Sequence, residues 1–228
     1  MDEPLKGGRT TPAVFRRGDR VHRTSRTNSE FVRLLLQHLQ MVGFDAAPRS
    51  FGPDESNREM FSFIEGEVPD ELEFQDQATL ADAAGLIRRF HDATAGLLSD
   101  AARDAGMEVV CHNDLSPCNF VFRAGRPIAI IDFDTAAFGR RASDLGYAAW
   151  LWLQLGDDDI PAEEQLARLK AFIVAYGAAI PLRDVVEAAR LRQALLAQEG
   201  DRIGNLPMKE WAEAALRWTT KSLLPLVP

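Results

Sequence analysis

Between residues 109 and 134 the chain reads VVCHNDLSPCNFVFRAGRPIAIIDFD, and this stretch constrains the fold more than any other. Two apolar runs, one on each side of Ala124-Gly125-Arg126-Pro127, predict a β-hairpin. A turn centred near Gly125 pairs residues whose numbers sum to about 250 or 251, which sets Asn119 opposite Asp132, within one position. Directly opposed residues in antiparallel strands have α-carbons about 4.5 to 5.5 Å apart. A carboxamide and a carboxylate therefore meet at the open end of the hairpin, where two oxygens suit one hard cation. Mg²⁺ favours such sparse oxygen sites, with phosphates and water completing its octahedron. Asp114 lies five residues before Asn119, on a loop containing Pro117, and projects beside that cation. Carboxylate, carboxamide, hairpin and second carboxylate together describe a site for phosphoryl transfer. That chemistry needs a cation on the phosphate oxygens and a carboxylate that orients the attacking hydroxyl and accepts its proton late.

The same ligand types allow a zinc site at Cys111, His112, Asp114 and Cys118. Their spacing does not resemble a C-x-x-C pair, and the remaining histidines, His22, His38 and His91, are distant in sequence. Two cysteines in 228 residues do not make a disulfide framework either. They are expected to fill small apolar gaps.

Upstream, PAVFRRGDRVHRT predicts a hairpin turning at Gly18-Asp19. A helix follows, with Phe31, Leu34, Leu35, Leu39 and Val42 on its apolar face, Thr27 and Glu30 at capping-box spacing and Gly43 as its stop. APRSFGPDESNREMFSFIEG suggests a second hairpin. After the polar EGEVPDELEFQDQ, helical periodicity dominates: Leu80, Ala83, Ala84, Ile87 and Phe90 share a face on a helix that ends near a structural His91. Further helices are expected over roughly 144–155, 162–176, 182–199 and 208–224, with Trp150, Trp152, Trp211 and Trp218 in their core.

These motifs resemble a known family. HNDLSPCN is similar to the H-x-D-x-x-x-x-N catalytic loop, and IDFD to the D-F-G-type metal site, of the protein-kinase-like aminoglycoside phosphotransferase and choline kinase family. LIRRFHDAT before the loop and RRASDLGYAAW after the metal site resemble the same family's C-lobe. The resemblance implies an α+β, bilobal protein-kinase-like fold, with a β-rich N-lobe over 1–64 and a larger, mainly helical C-lobe over 65–228. It implies that Asp114 is the catalytic aspartate, that Asn119 and Asp132 bind Mg²⁺, that His112 buttresses the loop and that Asp144 is structural. Asp134 stands where D-F-G has glycine; it helps metal or acceptor, or caps a turn.

A kinase also needs backbone amides over the phosphates and a cation on the third strand paired with a helix glutamate. Gly7 and Gly8 form a minimal phosphate loop. The strand lysine is absent, and Arg23, or else His22, fills its place, with Glu30 as the acidic partner. Arginine grips phosphates bidentately, so the exchange changes reach without removing the charge. An extended hinge near Ser62 to Ile64 offers backbone groups to adenine, and ATP and GTP are not distinguished.

Acidic and basic residues balance over 1–69, at ten each, so the net charge of −8 arises entirely in the later part. That surface disfavours nucleic acid and suits a cationic acceptor, for which Asp157, Asp158, Asp159, Glu163, Glu164, Glu199 and Asp201 are candidates, or it only confers solubility. No run of about 18 apolar residues and no apolar leader is present, so a cytoplasmic protein without membrane contact is expected. The expected activity is ATP- or GTP-dependent phosphorylation of a small-molecule hydroxyl, such as an antibiotic, amino sugar or choline-like alcohol. The alternative is a pseudokinase-like protein that binds nucleotide or ligand with little turnover.

Overall fold

The computed structural model describes residues 2–5 and 14–227. Its first part is an antiparallel sheet of β1 (Glu3–Pro4), β2 (Phe15–Arg17), β3 (Arg20–Thr24), β4 (Ser50–Pro53) and β5 (Arg58–Ser62), in the order β1-β2-β3-β5-β4. Gly18, at φ 63°, closes the β2–β3 hairpin where the sequence predicts the turn. Between β3 and β4 runs α1 (Ser29–Met41), which buries Val32, Leu35, Leu36 and Leu39.

The buried face of α1 is rotated from the one expected. Leu34 is 60% exposed and Val42 51% exposed, while Val32 and Leu36 face the core. The expected capping box is also absent. Asn28 is the N-cap and makes no side-chain cap, and the Ser29 hydroxyl accepts from the Arg26 N–H at 2.8 Å. The Asn28 side chain instead donates to the Asp134 and Ala136 carbonyls at 3.0 and 3.2 Å, so a distant loop adds to the local Arg26–Ser29 contact in holding the helix start.

The larger part begins with α2 (Gln77–Thr94), capped by the Asp76 side chain accepting from the Thr79 N–H. Leu80, Ala83, Ala84, Ile87 and Phe90 are fully buried, as their spacing predicts. A short α3 (Asp100–Asp104) leads into β6 (Val109–Cys111), followed by the hairpin of β7 (Phe120–Arg123) and β8 (Arg126–Ile130), then β9 (Ala137–Gly139) paired with β6. The rest is helical: α4 (Arg141–Trp152), α5 (Ala162–Tyr176), α6 (Leu182–Arg202), α7 (Leu206–Trp218) and a π-turn over Thr219–Leu223. Trp150 and Trp152 are buried as expected, but Trp211 is 44% exposed and stacks on Trp150 at 4.5 Å between centroids. Among the described residues no helix is long and apolar enough to cross a membrane.

Candidate active site

Phe120 pairs with Ile130 and Val121 with Ala129, a register sum of 250, before a bulge shifts it by one toward the turn. Extending that register sets Asn119 opposite Ile131, whose N–H donates to the Asn119 carbonyl at 2.9 Å, and Asp132 follows directly. Asp132 adopts a left-handed backbone, φ 64° and ψ 61°. Asn113, beside Asp114, has φ 64°. Non-glycine residues held this way cost on the order of 1–3 kcal/mol each and persist only where surrounding contacts fix them.

Those contacts fall on three successive carbonyls of the 113–115 loop, each held by a side chain from elsewhere. Arg192 of α6 donates to the Asn113 carbonyl at 3.1 Å, the Asn119 amide to that of Asp114 at 2.8 Å, and the Trp152 indole to that of Leu115 at 3.0 Å. With its nitrogen engaged, Asn119 keeps a side-chain oxygen for other partners.

Beneath the loop lies Asp144, 1% exposed. Its carboxylate accepts from the His112 N–H at 2.7 Å, the Asn113 N–H at 2.8 Å and His91 Nε2 at 3.0 Å. Burial opposes its ionisation, but the His91 hydrogen bond and the histidines and loop amides around it hold its pKa below the usual aspartate value. His91 Nδ1 accepts from the Tyr176 hydroxyl at 2.9 Å, which in turn accepts from Arg141 at 2.9 Å. The His112 ring spans the loop: Nε2 donates to the Ile131 carbonyl at 3.0 Å and Nδ1 accepts the Asp114 N–H at 3.3 Å.

Both ring nitrogens of His112 are thus committed, which leaves neither for zinc. The buried Cys111 thiol donates to the Arg140 carbonyl at 3.3 Å, and burial and then Asp144 push its pKa far up.

Arg23 does not pair with Glu30, which is exposed on α1. Its guanidinium instead reaches across to the loop after β8, donating to Asp132 Oδ1 at 3.0 Å and to Asp134 Oδ1. Arg26 Nε lies 3.2 Å from Asp134 Oδ2. Burial first, and then Asp132, raise the Asp134 pKa against the pull of the two arginines. Asp134 is therefore held by two arginines, Arg23 on β3 and Arg26 just after it. His22, the other candidate for the strand cation, is buried against Asp54 at 3.0 Å.

Between the sheet and the β7–β8 hairpin lies a cavity of about 350 Å³. Leu5, Val14, Val21, Phe61, Val121 and Ile131 supply apolar walls, Ser62 to Ile64 one edge, and Arg23, Asn119 and Asp132 the polar end. Gly66 and Glu67 hold the segment after β5 against β7: Glu67 and Phe122 exchange N–H···O bonds of 2.8 and 2.7 Å. At Gly66, φ 153°, an added Cβ would meet the Phe122 carbonyl oxygen at 2.4 Å. Gly66→Ala should lower stability by about 1–3 kcal/mol, read as a lower urea midpoint with unchanged slope. An unchanged midpoint would show that this contact yields easily.

Tyr147 and Arg192 are functional candidates that sequence reading missed. The Tyr147 hydroxyl donates to Asp114 Oδ1 at 3.0 Å. A signal for it existed: Tyr147 lies three residues after Asp144 on α4, on the same helical face. No comparable signal marks Arg192, 79 residues from the carbonyl it holds. Gly7 and Gly8 lie outside the described residues.

Residues 95–188, which include the loop, the hairpin and Asp144, match the family model described as a phosphotransferase enzyme family. This stretch is similar to the phosphotransferase enzyme family. Over 166 residues the chain is 40% identical to the trifolitoxin immunity protein of Rhizobium leguminosarum bv. trifolii, an alignment covering 68% of this chain and 62% of that relative's length. The fold is kinase-like. The ethanolamine kinase of Plasmodium vivax superposes with a TM-score of 0.65 at 12% identity, covering 100% of this chain and 82% of the kinase. The GDP complex of an aminoglycoside 2'-phosphotransferase of type IIIa gives 0.60 at 16%, covering 96% and 92%. The macrolide 2'-phosphotransferase of Brachybacterium faecium gives 0.58 at 17%, covering 94% and 91%.

Proposed function

We propose that the protein is a small-molecule O-phosphotransferase that moves the γ-phosphate of ATP or GTP to an alcohol, with 1–64 as nucleotide-binding lobe and 65–228 as catalytic and acceptor lobe. The observation that carries this reading is the junction of Asn119 and Asp132 at the polar end of an apolar, base-sized cavity, with Asp114 tied to Asn119 at 2.8 Å.

In this reading the base lies between the apolar walls, beside the Ser62–Ile64 edge. The free oxygen of Asn119 and the carboxylate of Asp132 would hold Mg²⁺. The donor set fits that ion: hard oxygens, too few to enclose it, and so dependent on phosphate and water. When bound, Mg²⁺ neutralises charge on the transferring phosphoryl group. Asp114 receives the acceptor hydroxyl in hydrogen-bond range, orients its lone pair toward phosphorus and takes its proton as the bond to phosphorus forms and the bond from γ-phosphorus to the bridging oxygen breaks, releasing ADP or GDP. His112 and Asp144 keep the loop in the strained conformation that this orientation needs.

Arg23 is assigned to the phosphates, although it sits on Asp132 without them. Its contact with Asp132 Oδ1 leaves the second oxygen of that carboxylate for the metal, and nucleotide offers the guanidinium an alternative set of anionic oxygens. Arg23→Ala should weaken Mg²⁺-nucleotide binding about tenfold or more, as expected for a charged hydrogen bond, while tightening Mg²⁺ binding without nucleotide. Calorimetry with each ligand separates the two effects; neither affinity changing would remove Arg23 from the site.

The acceptor is a small molecule with a free hydroxyl. A cationic acceptor, of amino-sugar or choline type, finds weaker support near Asp114 than the acidic composition suggests. Glu199 is paired with Arg202 at 2.6 Å and Asp201 with Lys209 at 2.5 Å, while Arg192 stands beside the catalytic loop. The pseudokinase-like alternative draws on one observation, the Arg23 pairing with Asp132 and Asp134. It predicts a Mg²⁺-dependent thermal shift with nucleotide and no phosphorylated product from a panel of aminoglycosides, macrolides, nucleoside antibiotics, choline and sugars. The phosphotransferase reading predicts the shift and a product one phosphate heavier.

A further inference from the structure

In the loop described above, Asp114 has one carboxylate oxygen already taken. Tyr147 donates to Oδ1 at 3.0 Å, so Oδ2 is the oxygen left for an incoming hydroxyl. A carboxylate that can spin about its last torsion presents either oxygen and loses part of the advantage of orientation.

Tyr147 is itself fixed. The Arg192 guanidinium lies over its ring at 4.5 Å, and Trp150 packs edge-on at 6.1 Å. Burial, and after it the neighbouring Asp114, push the phenol pKa well above its ordinary value, so Tyr147 stays a protonated donor. Arg192 also holds the Asn113 carbonyl at 3.1 Å, one residue before Asp114 and at the left-handed turn of the loop. Among the described residues Arg192 has no carboxylate partner, and its Nε is buried without a hydrogen bond. A guanidinium placed this way gains little from ion pairing; its contacts are the loop carbonyl and the Tyr147 ring.

We propose that Tyr147 and Arg192 are positioning residues for phosphoryl transfer: Tyr147 fixes the rotation of the Asp114 carboxylate, and Arg192, from α6, clamps both Tyr147 and the loop that carries Asp114. The proposal rests on Asp114 being the residue that receives the acceptor hydroxyl. It ties the acceptor-side helix α6 to the catalytic loop, so a shift of α6 on acceptor binding would be felt at Asp114 through one side chain.

The test compares Mg²⁺-dependent nucleotide turnover, with a hydroxyl acceptor that the wild type phosphorylates or with water as acceptor, in wild type, Asp114→Asn, Tyr147→Phe, Arg192→Met and Arg192→Lys. Tyr147→Phe keeps the ring and removes only the donor. Its kcat should fall about tenfold, the effect of losing one hydrogen bond to a charged group, while the nucleotide KM stays within twofold. Arg192→Met should fall as far, and Arg192→Lys should recover part of the loss, because lysine keeps the charge but not the planar fork. Crystal structures of wild type and Tyr147→Phe supply a readout apart from turnover: the Asp114 carboxylate should be rotated or split between two orientations in the variant. Wild-type kcat in Tyr147→Phe with an inactive Asp114→Asn, or an unmoved Asp114 carboxylate, would overturn the positioning role alone. No turnover by the wild type, or full turnover by Asp114→Asn, would overturn the phosphotransferase reading beneath it.

Discussion

Asp114→Asn should reduce phosphoryl transfer by about 10²- to 10⁴-fold, the range of a general base in proton transfer, with the protein still folded and still binding nucleotide. The asparagine occupies the same volume and can still accept the Tyr147 hydroxyl at the position of Oδ1. What it lacks is a second anionic oxygen for the acceptor proton. A carboxylate is far too weak a base to remove an alcohol proton in advance, so most of the loss should come from orientation and from the late proton transfer. The nucleotide KM should change little, since Asp114 does not line the cavity. A large rise in KM with unchanged kcat would place Asp114 in binding instead.

Asp144→Asn should produce the largest loss of stability of any single change outside the apolar core, about 3–5 kcal/mol. The carboxylate is fully buried and accepts from two successive loop amides and from His91. An amide in its place turns one acceptor into a donor and leaves loop N–H groups facing another N–H. Because the loop amides lose their anchor, the variant should lose activity even at temperatures where it remains folded. The pH dependence has a definite sign. Asp144 has a folded-state pKa below its ordinary value of 3.8, so its contribution is complete above that value and is lost as pH falls further, through the folded pKa. Wild type should therefore lose stability below about pH 4 and the variant should lose less over that window. Equal slopes of stability against pH would show that Asp144 is not the group responsible.

Much of the site was legible because it is local. The hairpin register, read from two apolar runs and one turn, brings Asn119 within one position of Asp132, and the structure has that arrangement. The apolar face of α2 was legible for the same reason, since five residues at helical spacing face one core. What the sequence concealed was set across the fold. Arg23 was expected to meet Glu30, its near neighbour in sequence, but β3 points it at Asp132 and Asp134, 109 and 111 residues away. The start of α1 was concealed too, since the Asn28 side chain is tied to carbonyls after β8 and does not cap its own helix. Tyr147 and Arg192 were missed because nothing local about a tyrosine in an apolar helix, or an arginine in a polar one, shows that both converge on one loop. Trp211 misled for a related reason: aromatic residues in helices usually face the core, and this one covers Trp150 from outside.

The most direct test of the central claim is mass spectrometry of an acceptor panel incubated with wild type or Asp114→Asn, Mg²⁺ and ATP or GTP. The account predicts that wild type makes an acceptor one phosphate heavier, that omitting Mg²⁺ abolishes it, and that Asp114→Asn makes about a hundredth as much or less. Equal product from the two proteins, or product formed without any divalent cation, would contradict the assignment of Asp114, Asn119 and Asp132.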